Sequence, residues 1–341
     1  MQANPHLSIV IPTFNRADLL DYCLEVHIPL ARAHNVQLFI FDNASEDATE
    51  EVVNRRKKEY PFIQYHCNET NVGPDNNFEI ALKCPKTRYV WLLGDTYRIP
   101  SEGINYVLNL ILTSGQKYDL VVFNLAGRIE DVETRDFTDN NNLLSSLGAL
   151  MTCLSCLIYS KDLISNSNFT KYKDTSFIQT GVIFEAIAKQ TFRIHWAQSM
   201  SISGLDSSTV KKDSWWMTPD VFNIAGTKWV NFVFLLPNSY DLESKLKCIM
   251  DFTKVSGVFS LKHLLLIRSA NILNYKTYKE YKHLFSVITK YPKILILFLS
   301  LLPKVLPRLL KQIQNSYRRI KIFICYRGIS AGVLSIMFGR R

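Results

Sequence analysis

Asp95 is the residue in this chain best placed to do chemistry. It closes the stretch Tyr89-Val90-Trp91-Leu92-Leu93-Gly94-Asp95-Thr96, in which five apolar or aromatic residues stop at a glycine. Such a run reads as a buried strand, and a carboxylate just past the carboxyl end of a buried parallel strand lies where open α/β sheets place their ligands. There it could hold a hard cation or orient a polar substrate. A role in capping the turn or the next helix is the competing reading. Three more strand-like runs precede it, each leading into a polar cluster. Residues 7–12 end at Pro12 and pass into Thr13-Phe14-Asn15-Arg16. Residues 36–41 end in Asp42-Asn43-Ala44-Ser45. Residues 62–66 are followed by Asn71-Val72-Gly73-Pro74-Asp75-Asn76-Asn77.

Elements that could position these clusters follow in order. Leu19, Leu20, Cys23 and Leu24 have helical spacing, a charged helix runs to Glu59, and a third helix covers 78–83. Strands are also read at 119–124 and 193–203, with a surface loop at 130–142 and an apolar segment at 143–158. A helix within 172–189 carries Val182, Ile183, Ala186 and Ile187 on one face. Strands alternating with helices predict a mainly parallel, twisted sheet wound in right-handed βαβ units. The first loop has no Gly-x-Gly-x-x-Gly, which disfavours a dehydrogenase-type dinucleotide fold, and no Gly-Lys-Ser/Thr phosphate loop occurs either. From Trp215 onward the patterns are helical and rich in Trp, Phe and Leu.

Charge separates the two ends of the chain. The net charge is +10, yet Glu280 is the last acid, and 281–341 carry twelve basic residues. The basic end implies a polyanionic surface as its partner. Residues 294–302 are apolar for only nine positions, too few for a spanning helix of about 20. Residues 305–324 mix Leu and Ile with Arg and Lys in the manner of an amphipathic helix lying in a headgroup layer. Seven irregularly spaced cysteines argue against a disulfide framework. Cys153 and Cys156 read as core thiols, since structural zinc needs four ligands, and His66 and His195, set in apolar runs, read as core histidines. The N-terminus has no signal-peptide pattern, so a cytoplasmic location is expected.

Four pieces taken together, LSIVIPTFNRADLL, FDNASEDAT, NETNVGPDNNF and YVWLLGDT, resemble the family 2 glycosyltransferases of GT-A fold, in particular the abequosyltransferase-like branch that builds bacterial surface polysaccharides. The resemblance covers about residues 6 to 125. It implies a nucleotide-sugar donor along the strand ends, with Pro12, Thr13, Asn15 and Arg16 lining the nucleotide pocket. It further implies that Asp42 meets the base, that Asn43 and Ser45 shape that loop, and that Asn71, Gly73 and Asn77 continue the wall toward Gly94 and Asp95. Pro74, Asp75 and Asn76 are read as turn residues.

This chain departs from the family pattern twice. Where the family carries Asp-x-Asp, it has Asp95-Thr96-Tyr97, leaving one carboxylate for Mg²⁺ or Mn²⁺. Where the family's base begins a helix, it has Phe177-Ile178-Gln179-Thr180, so Asp174 becomes the candidate base, with Glu185 and Asp206 behind it. The expected organisation is a GT-A domain over 1–210, with a donor half over 1–125 and an acceptor half over 126–210. A helical extension over 211–285 and a basic membrane-associating tail over 286–341 follow. The expected activity is inverting transfer of a sugar to a hydroxyl of a bacterial surface glycan such as O-antigen or capsule. The acceptor is expected to be polyprenyl-diphosphate-linked, and the enzyme peripheral on the inner face of the cell membrane, with no nucleic-acid partner. The alternative is a non-catalytic nucleotide-sugar-binding or scaffold protein of the same fold.

Overall fold

A computed structural model describes residues 2–205 and 215–304. Asp206 and the 305–324 segment lie outside the described residues. The strands are β1 (Leu7–Thr13), β2 (Gln37–Asp42), β3 (Ile63–Cys67), β4 (Tyr89–Leu92), β5 (Tyr97–Arg98), β6 (Leu120–Leu125), β7 (Arg135–Phe137), β8 (Leu157–Ser160) and β9 (Ile194–Gly204). The helices among them are α1 (Ala17–Arg32), α2 (Thr49–Glu59), α3 (Pro74–Lys83), α4 (Gly103–Thr113), α5 (Asn140–Leu147), α6 (Lys161–Ser165) and α7 (Ile178–Ile187). Beyond residue 215 come α8 (Trp229–Leu235), α9 (Leu242–Ser256), α10 (Leu261–Ser269), α11 (Tyr275–Tyr281), α12 (Phe285–Ile288) and α13 (Lys293–Leu301).

The strands form one sheet in the order β3-β2-β1-β4-β8-β6-β9-β5, with β7 paired to β9. β3, β2, β1 and β4 are mutually parallel. Every residue of β1 and of β4 is buried, as expected of strands covered on both faces. Register then sets the site. Thr13 pairs with Asp42, and Asp42 with Cys67, so the exits of β1, β2 and β3 open at one level.

The sequence reading of 143–158 as a single apolar segment gives way here to α5, two short 3₁₀ turns and the start of β8, which runs antiparallel to both β4 and β6. The chain reaches β8 through turns packed under Gly94, where the Ser155 hydroxyl accepts the Gly94 N–H at 3.0 Å, and so it enters the sheet from the opposite end. β5 and α4 fill a stretch in which the sequence reading placed nothing, and the polar 130–142 loop contains β7 and the beginning of α5. His66 is an exposed residue of edge strand β3, stacked on Phe41 at 4.9 Å, and not a core histidine. His195 is buried between Tyr106 and Asp136, at 2.8 and 2.7 Å, as a satisfied core histidine should be.

α7 is buried along its whole length. A Cβ on Gly181 would lie 2.4 Å from the Tyr172 ring, which is fully buried and donates its hydroxyl to Glu185 at 2.8 Å. The ring has no room to withdraw. Gly181→Ala is therefore expected to cost about 1–3 kcal/mol through overpacking, read as a lower urea midpoint, and an unchanged midpoint would contradict this packing. The helical region is joined to α7 through Phe177, whose ring lies 5.2 Å from Trp229, and through the Tyr240 hydroxyl, which donates to the Phe184 carbonyl at 2.7 Å. α12 and α13 also pack inward, burying Phe285, Ile288, Ile296 and Leu299.

Candidate active site

The four strand-exit loops are clipped to one another by side chains. Asn15, in the left-handed region at φ +50°, presents its N–H to Ser45 Oγ at 2.8 Å while its amide oxygen accepts the Glu46 N–H at 2.8 Å. Ser45 in turn donates to Asp42 Oδ1, and Tyr65 donates to Asp42 Oδ2 at 2.7 Å. Both oxygens of this buried carboxylate accept from the protein itself. Burial, followed by the hydrogen bond to Asp42, pushes the Tyr65 phenol far up, so Tyr65 stays a donor. Asn43 donates to Asn71 at 2.8 Å and accepts from Asn68 and from the Val72 N–H, each at 3.0 Å. Asn68 also donates to Asn77, which reaches back to the Phe41 carbonyl at 3.1 Å. Gly73 is at φ +82°, where an L side chain is strained, and begins α3 without a side-chain cap. The result is a rigid wall over β2 and β3 lined with amide and carboxylate groups.

Asp95 faces this wall from the β4 exit. It is only 4% exposed. Arg16 pairs with it at 3.1 Å and Thr13 donates to it at 3.4 Å, so the β1 and β4 exits are joined at one carboxylate. Pro12 is buried in β1, immediately before Thr13. The expected pocket residues Pro12, Thr13, Asn15, Arg16, Asp42, Asn43, Asn71, Gly73, Asn77, Gly94 and Asp95 thus fall at the carboxyl ends of four adjacent strands, or in the loops and first helical turn that follow them. Among the described residues no group of three or more His, Cys, Asp or Glu side chains could hold a metal ion. Asp95 alone suits an ion held chiefly by phosphate oxygens and water, since Mg²⁺ often uses only one or two protein carboxylates.

The part of the site beyond α3 is less regular. Asp174 is exposed and Ser176 partly so, and both lie in the left-handed region, at φ +64° and +68°. Their loop is held against α3 by Asp75, which accepts the Ser176 N–H at 3.4 Å, while Lys228 reaches Ser176 Oγ at 3.1 Å. Burial raises the Asp75 carboxyl above the usual range despite the opposing Ser176 N–H and Lys228 charge. Asp75 is therefore more than a turn residue. It ties the loop carrying Asp174 to the Gly73 wall, a link between residues 101 positions apart that leaves no local trace in the sequence. Glu185 is poorly suited to accept a proton. Its burial is outweighed by Lys171, Lys189 and the Tyr172 hydroxyl, which hold its pKa at about 2. Gln179, in the first turn of α7, donates to the Thr152 carbonyl at 3.0 Å and leaves its buried amide oxygen without a hydrogen bond among the described residues. Cys153 and Cys156 are free thiols.

A sheet that begins 3-2-1-4 and gathers polar loops at the carboxyl ends of its parallel strands is a GT-A-like architecture. The chain superposes on a mannosyltransferase from Pyrobaculum calidifontis, solved with GDP-mannose and Mn²⁺, with a TM-score of 0.53. The match has 14% identity and covers 87% of this chain and 88% of that one. Residues 8–166 match the family described as Glycosyl transferase family 2. Among curated proteins the chain is similar to abequosyltransferase RfbV of Salmonella typhimurium, with 29% identity over 51% of this chain and 57% of that protein. It is also similar to the GalNAc(5)-diNAcBac-PP-undecaprenol beta-1,3-glucosyltransferase of Campylobacter jejuni, with 25% identity over 49% of this chain and 55% of that protein. The chain thus spans a little over half the length of the curated relatives it matches. No helix among the described residues is long and apolar enough to cross a membrane.

Proposed function

We propose that this protein is a glycosyltransferase that moves a sugar from a nucleotide-sugar donor to a hydroxyl of a bacterial surface glycan, with inversion. The observation that carries the reading is the convergence of the four parallel-strand exits on Asp95 within the stretch that matches family 2. In this reading the Asn15–Asp42–Asn43–Asn71 wall orients the nucleotide, and Asn77 and Gly73 support that wall. Arg16, whose side chain is part-exposed beside Asp95, offers positive charge to the departing diphosphate. A divalent ion, Mg²⁺ or Mn²⁺, held by Asp95 and the diphosphate would supply further charge neutralisation. Asp174, exposed on the loop that Asp75 ties to the Gly73 wall, takes the acceptor proton.

The acceptor is assigned as a polyprenyl-diphosphate-linked glycan. The diphosphate-undecaprenol named in the Campylobacter relative supports this, and so does the basic C-terminal end, which would hold the enzyme peripherally on the inner membrane face. The functional division is a donor half over 1–125, an acceptor half over 126–210, a helical extension over 211–285 and a tail over 286–341 that meets the membrane. Because α12 and α13 pack into the helical region, the tail is tested by truncation after Lys304 rather than at 286.

The observation that favours a non-catalytic binding protein is the engagement of Asp95 by Arg16 where Tyr97 stands in place of a second Asp. Incubation with radiolabelled nucleotide-sugars and extracted lipid-linked glycans separates the two readings. Transfer of label to the lipid fraction from one donor is expected, whereas nucleotide binding without transfer or donor hydrolysis would favour the scaffold.

A further inference from the structure

The helical region carries a compact apolar face that the core does not use. On α13, Ile294, Phe298 and Leu301 are 70%, 59% and 60% exposed, while Ile296 and Leu299 of the same helix are buried. Positions 294, 298 and 301 follow one another at helical spacing, so they form a single outward row. α10 lies alongside. At one end the Tyr291 hydroxyl accepts the Leu261 N–H at 3.2 Å, and at the other Arg268 donates to the Leu302 carbonyl at 2.7 Å. The start of α10 also holds the turn Trp215–Met217, because His263 bonds the Trp216 carbonyl at 2.8 Å and their rings lie 5.7 Å apart. Trp215 and Trp216 are 42% and 38% exposed.

The charges around this face are predominantly positive, although exposed Asp220 follows the Trp215–Met217 turn by three residues. Between residues 252 and 304 there are nine Lys or Arg residues and one acid, Glu280. Lys262, Lys290, Lys293 and Lys304 are exposed on or beside α10 and α13. An apolar row flanked by aromatics and lysines is the chemistry that enters an anionic headgroup layer, with the rings at the polar boundary and the ammonium groups at the phosphates.

We propose that the α10–α13 face, with the Trp215–Trp216 turn, is a docking surface for an anionic lipid bilayer. The proposal rests on the membrane-side reading above and deepens it, by assigning contact to the folded helical region in addition to the residues after 304. The occupant is a bilayer rather than an acidic protein, because the row is apolar at its centre and the cations lie around it.

The five tryptophans give a direct readout. Trp91, Trp196 and Trp229 are fully buried, so surface contact reports through Trp215 and Trp216. The full chain should bind vesicles of phosphatidylglycerol and phosphatidylcholine, with partial quenching of its fluorescence when the acyl chains are brominated near the headgroup. It should bind pure phosphatidylcholine at least tenfold more weakly. Replacing Ile294, Phe298 and Leu301 together by glutamate should lower the partition coefficient at least tenfold and remove the quenching, while circular dichroism and nucleotide binding are retained. Vesicle binding at wild-type strength by that variant, or binding without tryptophan quenching, would overturn the proposal and leave the residues after 304 as the contact. Loss of nucleotide binding in wild type would count against the transferase reading and not against this surface.

Discussion

Asp95→Ala is expected to lower kcat/KM for sugar transfer on the order of 10²- to 10³-fold, the scale of removing a preorganised charge from a water-poor site. The expectation follows from its position. Asp95 is almost wholly buried at the β4 exit, and it is where Arg16 and Thr13 of the β1 exit meet the opposite side of the cleft. Removing it frees Arg16 from its partner and removes the carboxylate available to a divalent ion. The Arg16 side chain is 45% exposed, so it stays hydrated when its partner is removed, and a urea midpoint measured on the same variant separates lost chemistry from lost stability. Asp95→Asn keeps the shape and removes the charge, so it should lose nearly as much activity. Rates within about threefold of wild type for both variants, against the tenfold that 1.36 kcal/mol represents, would remove Asp95 from the chemistry.

The second large effect is on stability in acid. His27 of α1 is wholly buried, and it accepts the Ile99 N–H on Nε2 at 3.1 Å while Nδ1–H donates to the Cys23 carbonyl at 2.7 Å. Burial, reinforced by the charge of Arg98 and only partly offset by the Cys23 carbonyl, lowers its pKa from 6.5 to about 4. The unfolded chain therefore takes up a proton near 6.5 and the folded one only near 4. Stability conferred by neutral His27 is complete above about pH 6.5 and is lost as pH falls toward 4, by about 3 kcal/mol at 1.36 kcal/mol per unit. Ile99 follows β5 on the segment that leads away from Asp95, so protonation also loosens the support of the site. Urea unfolding at pH 7, 5.5 and 4 should show this slope in wild type and a shallower one in His27→Gln. Parallel slopes would contradict it. Glu185, held at about 2, adds a further loss only below about pH 4.5.

The β1–β4 part of the sheet was legible because each of its parallel strands is a continuous apolar run that leads into a polar cluster at its carboxyl end. Those runs gave β1 to β4 within one or two residues, and with them the loops bearing Thr13, Asp42, Asn71 and Asp95. The supports of these residues were not legible. Tyr65 beneath Asp42, Ser155 against Gly94, and Asp75 against Ser176 act across 23, 61 and 101 residues, distances at which pattern carries no information. β5 is two residues long and β7 is three, both too short for alternation to show. β8 was hidden by apolar neighbours that continue into 3₁₀ turns. The 126–205 stretch was read least well, because α7 is buried on every side, its polar Gln179, Thr180 and Glu185 included, which a four-residue apolar face does not signal.

The most direct test of the account is calorimetric titration of the full chain with a panel of nucleoside diphosphates, with and without Mn²⁺ or Mg²⁺, for wild type and Asp95→Ala. The account predicts binding to one base, strengthened by the metal, with that strengthening lost in Asp95→Ala. Failure of the folded wild-type protein to bind any nucleoside diphosphate would contradict it.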